Sequence, residues 1–304
     1  MSATVVERRF RGEPALELRA GELRATFVPG IGMTGVSLRQ RGREFLALPG
    51  GLDALRAGRT AGLPLLAPWA NRLGGWRYRA AGVTVDLRGL PLRTDGAGLP
   101  IHGFLVGDPG WSVTRYDAGR AVARLAASID VDGPAFPFQH RIDVAIAAHE
   151  DRLVVDTTVV PTGRRRVPVA FGWHPYLRLP GTPRSQWRLH LPARHHLALD
   201  GRGIPTGASE AEHAEAEPLG RRHFDDLYAL GRGRRLAFAA ADGIAIEMHP
   251  GPTYPYAQVW VPPGRPFAAL EPMAAPTDAL GRGDVPLVTP GDAFTARFEL
   301  RPTA

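Results

Sequence analysis

The chain has 304 residues, of which 44% are hydrophobic, and it can therefore bury one large core or two small ones. It contains no cysteine, and all 37 of its Lys-plus-Arg residues are arginine. These two absences exclude disulfides, thiol nucleophiles, thiolate metal sites, Schiff-base lysines and a P-loop lysine.

The N-terminal stretch "MSATVVERRFRGEPALEL" has no apolar segment of the kind that a signal peptide carries, and the chain has no long apolar run. We therefore expect a soluble, cytoplasmic protein that does not bind membranes. The formal net charge of +7 would suit a nucleic-acid ligand. The arginines are scattered, however, and their small clusters at 163–166, 220–223 and 231–235 have few aromatic neighbours. We do not expect nucleic-acid binding.

Short segments in which apolar and polar residues alternate recur along the chain, separated by Gly, Pro and Asp-Gly turns. In chain order they are "ELRATFV", "GVSLRQ", "VTVDLRG", "WSVTRYD", "AVARLAASID", "HRIDVAIAAHE", "DRLVVDTTVV", "RLAFAAADGIAIEMH", "AQVWVPP" and "AFTARFEL". The 36 glycines and 29 prolines leave little room for long helices. The pattern predicts an all-β protein, folded as a single large antiparallel β-sandwich.

Residues 204–224 form the most polar and acidic part of the chain, and we expect a long surface loop there because strand-like alternation resumes on both sides. No fixed-period repeat, low-complexity linker or shift in composition marks a domain boundary. The sequence therefore predicts one domain over residues 1–304.

A glycine pattern early in the chain has the spacing of a dinucleotide-binding loop. Gly30, Gly32 and Gly35 form G-x-G-x-x-G after a strand-like run. That motif must open a helix, whereas the residues that follow, "VSLRQRGREFLAL", alternate like a strand. We predict a tight turn and no cofactor.

Two further segments contain potential metal ligands. Residues 130–133, "DVDG", begin like a calcium loop but lack the later oxygen ligands, so we predict a hairpin turn. His190, His195 and His196 lie close together in the sequence, but adjacent residues of a strand point to opposite faces. We expect no metal site.

Four separated segments carry the polar residues that could act on a substrate. "APWANRLGGW" contains Asn71, the only asparagine of the chain, followed by Arg72. "PIHGFL" contains His102, "FGWHPYLRLPG" contains His174, and "AALEPMAAPTDAL" contains Glu271. Asn71 either meets a need of the local backbone or handles a polar ligand together with Arg72.

Glu271 and the histidines have the chemistry of an acid-base pair. Glu271 follows an apolar run, and we expect it at the buried end of a strand, where an unpartnered carboxylate is costly. Burial raises a carboxyl pKa toward neutrality and suits it to proton abstraction. A histidine near aromatic residues is often purely structural. With no thiol, lysine or evident cofactor, the set favours proton transfer on a small polyhydroxylated substrate.

Taken together, these segments resemble the aldose 1-epimerase, or galactose mutarotase-like, family. "FVPGIGMTGVSLRQRGREFL", "NRLGGWRYRAAGVTVDL", "IHGF", "WHPYLRL" and "LEPMAAPTDAL" are similar to the family's successive motifs and occur in the family's order over most of the chain. The resemblance implies a β-supersandwich with a sugar-binding face, and neither metal nor cofactor.

The resemblance also implies residue roles. Glu271 is the expected base that removes the anomeric hydroxyl proton, and His174 the expected acid that protonates the ring oxygen. His102 and Arg72 are expected to bind substrate oxygens and stabilise developing charge. Asn71 is expected to hold Arg72 or to touch the sugar.

An aspartate of the family's pocket matches the segment "HFDDLYAL" loosely, and we assign Asp225, with Asp226 as the alternative. Other positions depart from the family: Pro-Tyr-Leu-Arg follows His174, Phe104 follows "HG", and Met273 follows Glu-Pro. These departures leave the acid-base pair intact and put a preference for galactose in doubt.

Three other functions are compatible with the sequence. A related epimerase acts on a hexose 6-phosphate, which Arg164, Arg165 and Arg166 could grip at the rim of the pocket. A non-catalytic sugar-binding module would need no acid-base pair, and lyases or hydrolases on related sandwiches are usually longer. Because the arginines look compositional, we expect a free aldose as substrate. The sequence leaves the oligomeric state open.

Overall fold

A computed structural model describes residues 2–304, and antiparallel strands dominate it. The first strands are β1 (Thr4–Phe10), β2 (Glu13–Ala20), β3 (Leu23–Val28), β4 (Thr34–Gln40), β5 (Arg43–Glu44), β6 (Leu65–Leu66), β7 (Arg77–Ala80), β8 (Val83–Asp86), β9 (Ser112–Ala118), β10 (Ala123–Val131), β11 (His140–Ala148), β12 (Leu153–Pro161) and β13 (Val167–Pro168). The remaining strands are β14 (Gly172–Trp173), β15 (Tyr176–Leu177), β16 (Arg188–Leu191), β17 (Arg194–Leu199), β18 (Pro205–Glu212), β19 (Glu215–Pro218), β20 (Phe224–Leu230), β21 (Leu236–Ala239), β22 (Ala245–Pro250), β23 (Tyr256–Val261), β24 (Ala268–Met273), β25 (Leu287–Val288) and β26 (Phe294–Thr303).

Helices are short, as the Gly and Pro content predicts. They are α1 (Gly51–Arg56), α2 (Ala279–Arg282) and one 3-10 turn (Arg184–Gln186). No helix within residues 2–304 has the length and apolar character needed to cross a membrane.

Two large sheets form the body of the molecule. One has nine strands in the order β19-β16-β21-β22-β26-β12-β11-β10-β9, and the other has eight in the order β18-β17-β20-β23-β24-β14-β6 with β15 also paired to β24. A five-stranded sheet, β1 to β5, and the pairs β13-β25 and β7-β8 complete the set. The prediction of an all-β antiparallel sandwich is confirmed.

The core lies between the two large sheets. In β10 every second residue from Ala123 to Val131 is buried, which is the alternation expected of a strand with one face in the core. Phe298 of β26 and Trp173 of β14 meet with ring centroids 5.7 Å apart. This contact joins the nine-stranded sheet to the eight-stranded one.

Residues 204–224 are not a long loop, and that prediction is wrong. They contain β18 and β19, which lie at the edges of the eight-stranded and nine-stranded sheets respectively. Six of the eight residues of β18 and three of the four of β19 are exposed, and none is buried. Because neither strand has a buried face, apolar and polar residues do not alternate along the segment, and the sequence lacks the usual signal of a strand.

The glycine pattern after β3 forms a turn and not a cofactor loop. Gly32 has φ 69° and its N–H donates to Asp108 O at 2.9 Å. A side chain at Gly32 would come within 2.6 Å of the Gly107 backbone. The chain then continues directly into β4, so no helix opens there.

The neighbouring strands β20, β23 and β24 carry several side chains of the site on one face of their sheet. Tyr228, Val259 and Leu270 point from them into the main core. Residues of opposite parity, including Asp225, Gln258 and Glu271, therefore point to the other face of the sheet. Gln258 pairs with Glu271 across β23 and β24, so their side chains are neighbours.

Candidate active site

A cleft of about 150 Å³ on this second face gathers the four segments that the sequence singles out. Larger grooves exist elsewhere, such as one of about 550 Å³ around Leu16 and Tyr116, but the small cleft brings together the buried His102, His174 and Glu271. Its lining residues are Thr60, Asn71, Arg72, Arg93, Ile101, His102, His174, Tyr176, Asp225, Gln258, Trp260 and Glu271.

His174 and Glu271 form the buried centre of the cleft. His174 Nε2 lies 3.3 Å from Glu271 Oε1, and the two side chains are only 6% and 3% exposed. The second atom of each group, His174 Nδ1 and Glu271 Oε2, has no protein partner. Glu271 lies within β24 and not at the end of a strand, which corrects the expected position. The cleft thus presents an acid-base pair with unused hydrogen-bonding capacity.

The surroundings of this pair favour the neutral form of each group. Burial, followed by the charge of Asp225, raises the pKa of Glu271 well above 4.5, and Arg72 opposes the shift. Burial, followed by the charge of Arg93, lowers the pKa of His174 to about 3. The protein groups alone therefore place the proton on the carboxyl and leave the imidazole neutral.

Aromatic side chains hold His174 in place and form the apolar walls of the cleft. The Tyr176 ring stacks on His174 with centroids 4.6 Å apart at 16°, and Trp260 meets His174 edge-on at 5.4 Å. The Tyr176 hydroxyl pairs with Thr60 Oγ1 at 2.7 Å. Flat rings beside polar groups suit a ligand that has both C–H faces and hydroxyls.

Asn71 suits the local backbone conformation and also holds the neighbouring Arg72 through hydrogen bonds. Its φ of 53° is in the left-handed region, which Asn tolerates better than most residues. Its Oδ1 accepts hydrogen bonds from the backbone N–H of Arg72 at 2.9 Å and from Arg72 Nη1 at 3.1 Å. Of the two explanations that the sequence leaves open, the structure shows the backbone need directly, together with support of Arg72.

Arg72 is held by two carboxylates. Its Nε donates to Asp95 Oδ2 at 2.7 Å, and its Nη2 donates to Asp225 Oδ2 at 3.3 Å. The side chain is 18% exposed. A guanidinium fixed in this way presents its remaining donors to the cleft in one orientation.

His102 has an unusual backbone and an unpaired ring nitrogen. Its φ is 65°, and its N–H donates to Asn71 O at 2.9 Å. Its Nδ1 is buried without a partner. Burial first, then His174, Arg93 and Arg72, lower its pKa well below 6.5. A neutral imidazole with a free nitrogen, held in a sparsely populated conformation, is typical of a functional position.

The two candidate aspartates point to opposite faces of β20. Asp225 accepts a hydrogen bond from Gln258 Nε2 at 2.7 Å and lines the cleft. Asp226 points to the core side, where its Oδ1 lies 3.2 Å from His196 Nε2. The structure therefore places Asp225, the first choice, in the cleft.

Several lining residues have no counterpart in the sequence-based set. Gln258, Trp260 and Thr60 come from segments that carry no recognisable motif. Arg93 precedes the "IHGF" segment but stands in none of the quoted motifs. Tyr176 lies two residues after His174, and the alternation of a strand could have placed both side chains on one face.

Other candidates lie away from the cleft. Arg164 and Arg165 line a separate depression, and no residue of 163–166 lines the cleft. His190 is on β16 of the nine-stranded sheet, whereas His195 and His196 are on β17 of the eight-stranded one. Within residues 2–304 no three His, Asp or Glu side chains are grouped to hold a metal ion.

The fold and the cleft define a class: a large antiparallel β-sandwich with a polar cleft around a buried His-Glu pair. The sequence model of the aldose 1-epimerase family matches residues 14–301. The chain therefore belongs to the aldose 1-epimerase family, as its motifs indicate.

Solved structures share this fold. A galactose mutarotase-like protein from Clostridium acetobutylicum has a TM-score of 0.88 at 18% identity, over 99% of each chain. A galactose 1-epimerase from Lactobacillus acidophilus has a TM-score of 0.78 at 12% identity, covering 100% of this chain and 99% of its own. A GalM/aldose epimerase homologue from C. elegans has a TM-score of 0.76 at 16% identity, over 99% of each chain. No curated protein sequence is significantly similar to the chain.

Proposed function

We propose that the protein is an aldose 1-epimerase that interconverts the α and β anomers of an aldose. The observation that carries the proposal is the contact of His174 Nε2 with Glu271 Oε1 at 3.3 Å, buried in a cleft that also presents donors, a carboxylate and aromatic rings. Burying two ionisable groups in contact costs stability. That cost is understandable if the pair moves protons, whereas a module that only binds sugar gains nothing from it.

The proposed reaction needs two proton transfers and no redox step. Glu271 removes the proton of the anomeric hydroxyl O1, and His174 donates a proton to the ring oxygen O5. The C1–O5 bond breaks as the C1=O1 bond forms, which gives the open-chain aldehyde. Rotation about C1–C2 presents the other face of the carbonyl. Reclosure returns each proton with the roles reversed and yields the other anomer.

This cycle starts from an ionised Glu271 and a protonated His174. Moving one proton from Glu271 to His174 across their 3.3 Å contact creates this state without changing the net charge of the pair. Sugar hydroxyls that donate to the unpartnered Glu271 Oε2, together with the charge of Arg72, favour the carboxylate. Substrate binding is therefore expected to shift the pair toward the ion pair.

The other cleft residues take supporting roles in this proposal. Arg72 and His102 hydrogen-bond to substrate oxygens and stabilise the negative charge that develops during ring opening. Asn71 keeps the Arg72 guanidinium in position, as its hydrogen bonds to that residue suggest. Asp225, which is 49% exposed, accepts hydrogen bonds from sugar hydroxyls at the mouth of the cleft.

Polarimetry tests the proposal. Freshly dissolved α-glucose, α-galactose and several other aldoses are followed with and without the protein, and the rate of approach to equilibrium is compared with the spontaneous rate. At least one aldose should equilibrate faster in proportion to protein concentration. Sugar binding without any acceleration would instead identify a non-catalytic binding module.

A further inference from the structure

Arg93 is a half-buried cation on the wall of the cleft whose guanidinium is largely unpaired. Its Nη1 donates to Gly58 O at 3.2 Å, and the guanidinium has no other acceptor and no carboxylate partner within residues 2–304. Burial lowers the pKa of Arg93, Tyr176 opposes that shift, and the nearby charge of Arg59 adds to it. An unpaired guanidinium in such a place is costly, and its planar set of donors matches a carboxylate.

The two arginines of the cleft differ in whether their guanidinium groups are paired with carboxylates. Arg72 is already paired with Asp95 and Asp225. Asp225 accepts a hydrogen bond from Gln258, the cross-strand neighbour of Glu271, so this pairing lies on the Glu271 side of the cleft. Arg93 instead donates to Gly58 O, two residues from Thr60, whose Oγ1 pairs with the hydroxyl of the Tyr176 ring that stacks on His174. The cleft therefore has a carboxylate-rich end around Glu271 and an uncompensated positive end beside His174.

The proposed chemistry fixes which part of a sugar meets each end. Glu271 serves O1 and His174 serves the ring oxygen O5. In a pyranose, O5 is bonded to C5, and C5 carries the C6 substituent, whereas O1 is on C1 across the ring oxygen. In this orientation a substituent at C6 lies on the His174 side of the cleft, the side on which Tyr176 and Arg93 lie.

We propose that Arg93 binds a negatively charged group on C6 of the aldose and that this group is the carboxylate of a hexuronic acid. This inference rests on the proposed function and names its substrate class. It narrows the expectation of a free aldose to one that carries a carboxylate, because a neutral C6 hydroxyl would leave Arg93 without a counter-ion.

A carboxylate fits the available donors better than a phosphate. Phosphate sites usually combine several converging donors, whereas Arg93 is the single unpaired guanidinium of the cleft. Arg164 and Arg165 line a different depression. One planar guanidinium can bind one carboxylate through two parallel hydrogen bonds.

The bound anion would also change the pKa of His174, the acid of the proposed reaction. Arg93 lowers the pKa of His174, so neutralising Arg93 lets that pKa rise and makes the protonated acid more accessible. A uronate should therefore improve kcat as well as KM relative to the matched neutral sugar.

Anomer exchange measured by NMR on matched pairs tests the inference. Glucuronate is compared with glucose, galacturonate with galactose, and glucose 6-phosphate is added, for the wild type and for Arg93→Gln, Arg93→Lys and Arg164→Gln. For the wild type, kcat/KM should be about 10- to 100-fold higher for the uronates than for the neutral sugars, the range of charge-assisted hydrogen bonds. Arg93→Gln should abolish this ratio, Arg93→Lys should keep part of it, and the control Arg164→Gln should preserve it.

Equal kcat/KM for uronate and neutral sugar in the wild type, or a ratio that survives Arg93→Gln, would overturn the inference and leave the proposed function intact. A larger advantage for glucose 6-phosphate than for glucuronate would overturn the carboxylate assignment. If no sugar is turned over, the proposed function fails. Calorimetric titration with glucuronate then decides: binding that depends on Arg93 supports the inference, and its absence refutes it.

Discussion

Replacing Glu271 by Gln should lower activity and raise stability at the same time. Glutamine keeps the shape of the buried side chain but cannot ionise, so it cannot act as the base. We expect anomer exchange to fall by about 10²- to 10⁴-fold, the usual contribution of a general base. The fold should be preserved, because Glu271 Oε2 has no protein partner to lose.

The gain in stability should depend on pH in a specific direction. Burial raises the pKa of Glu271 well above the value of 4.5 expected in the unfolded chain. At pH values between 4.5 and the raised pKa, Glu271 in the folded protein keeps a proton that the unfolded chain has released. The free energy of unfolding therefore falls as pH rises through this window. The free-energy cost grows by about 1.4 kcal/mol per pH unit in this window. Glutamine removes the cost, so its advantage should appear above about pH 5 and grow toward neutrality.

Thermal unfolding of the wild type and Glu271→Gln from pH 5 to pH 8 measures this effect. The melting temperature of the variant should exceed that of the wild type by an amount that rises by about 2 °C per pH unit, from the unfolding entropy of a chain of this size. Glu210→Gln on the exposed strand β18 is the matched control and should show no such trend. A variant that is less stable at neutral pH, by a margin that grows with pH, would mean that Glu271 is a stabilised carboxylate and would refute the reasoning.

Four further outcomes follow from the site and the fold. Asp225→Asn should raise KM for sugar several-fold, whereas Asp226→Asn, on the core side of β20, should leave KM close to the wild type; equal effects on KM would contradict the facing of the two residues. Because the proposed cycle starts from a pair that holds one proton, kcat/KM should fall as pH rises through the raised pKa of Glu271 and should persist on acidification until the lowered pKa of His174 is approached; a loss of activity on acidification with a midpoint of 4.5 or higher would contradict the shared proton. Activity should survive dialysis against a strong chelator, and loss that one divalent ion restores would require a metal site. We propose that residues 1–304 form one domain, so calorimetry should show a single cooperative transition, and two separated transitions would disprove this.

Strands with one buried face are predictable from the sequence, and those without one are not. β11 alternates buried and exposed residues along its length and is visible as "HRIDVAIAAHE". β18 and β19 have no buried residue, and only their hydrogen-bonded partners show that they are strands. Pairing with distant segments, which no local pattern encodes, decides such elements.

The chemistry of the cleft is more predictable than its geometry. The four motif segments meet as the resemblance implies, since each carries its own turn or strand signal. The choice between Asp225 and Asp226 is not encoded locally. The adjacent Leu227 and Tyr228 are both buried, so β20 has no regular alternation of buried and exposed residues that would show which aspartate faces the cleft. Arg93 and Gln258 reach the cleft only through tertiary packing, so no motif points to them.

Anomer exchange at equilibrium, followed by magnetisation transfer between the α and β C1 protons, tests the central claim most directly. It detects ring opening without net reaction, for a panel that includes neutral aldoses and hexuronates. We predict transfer that rises with wild-type concentration for at least one sugar and falls by at least about 100-fold in Glu271→Gln. Transfer no faster than the spontaneous rate for every sugar, or equal transfer by the wild type and the variant, would contradict catalysis by the His174–Glu271 pair.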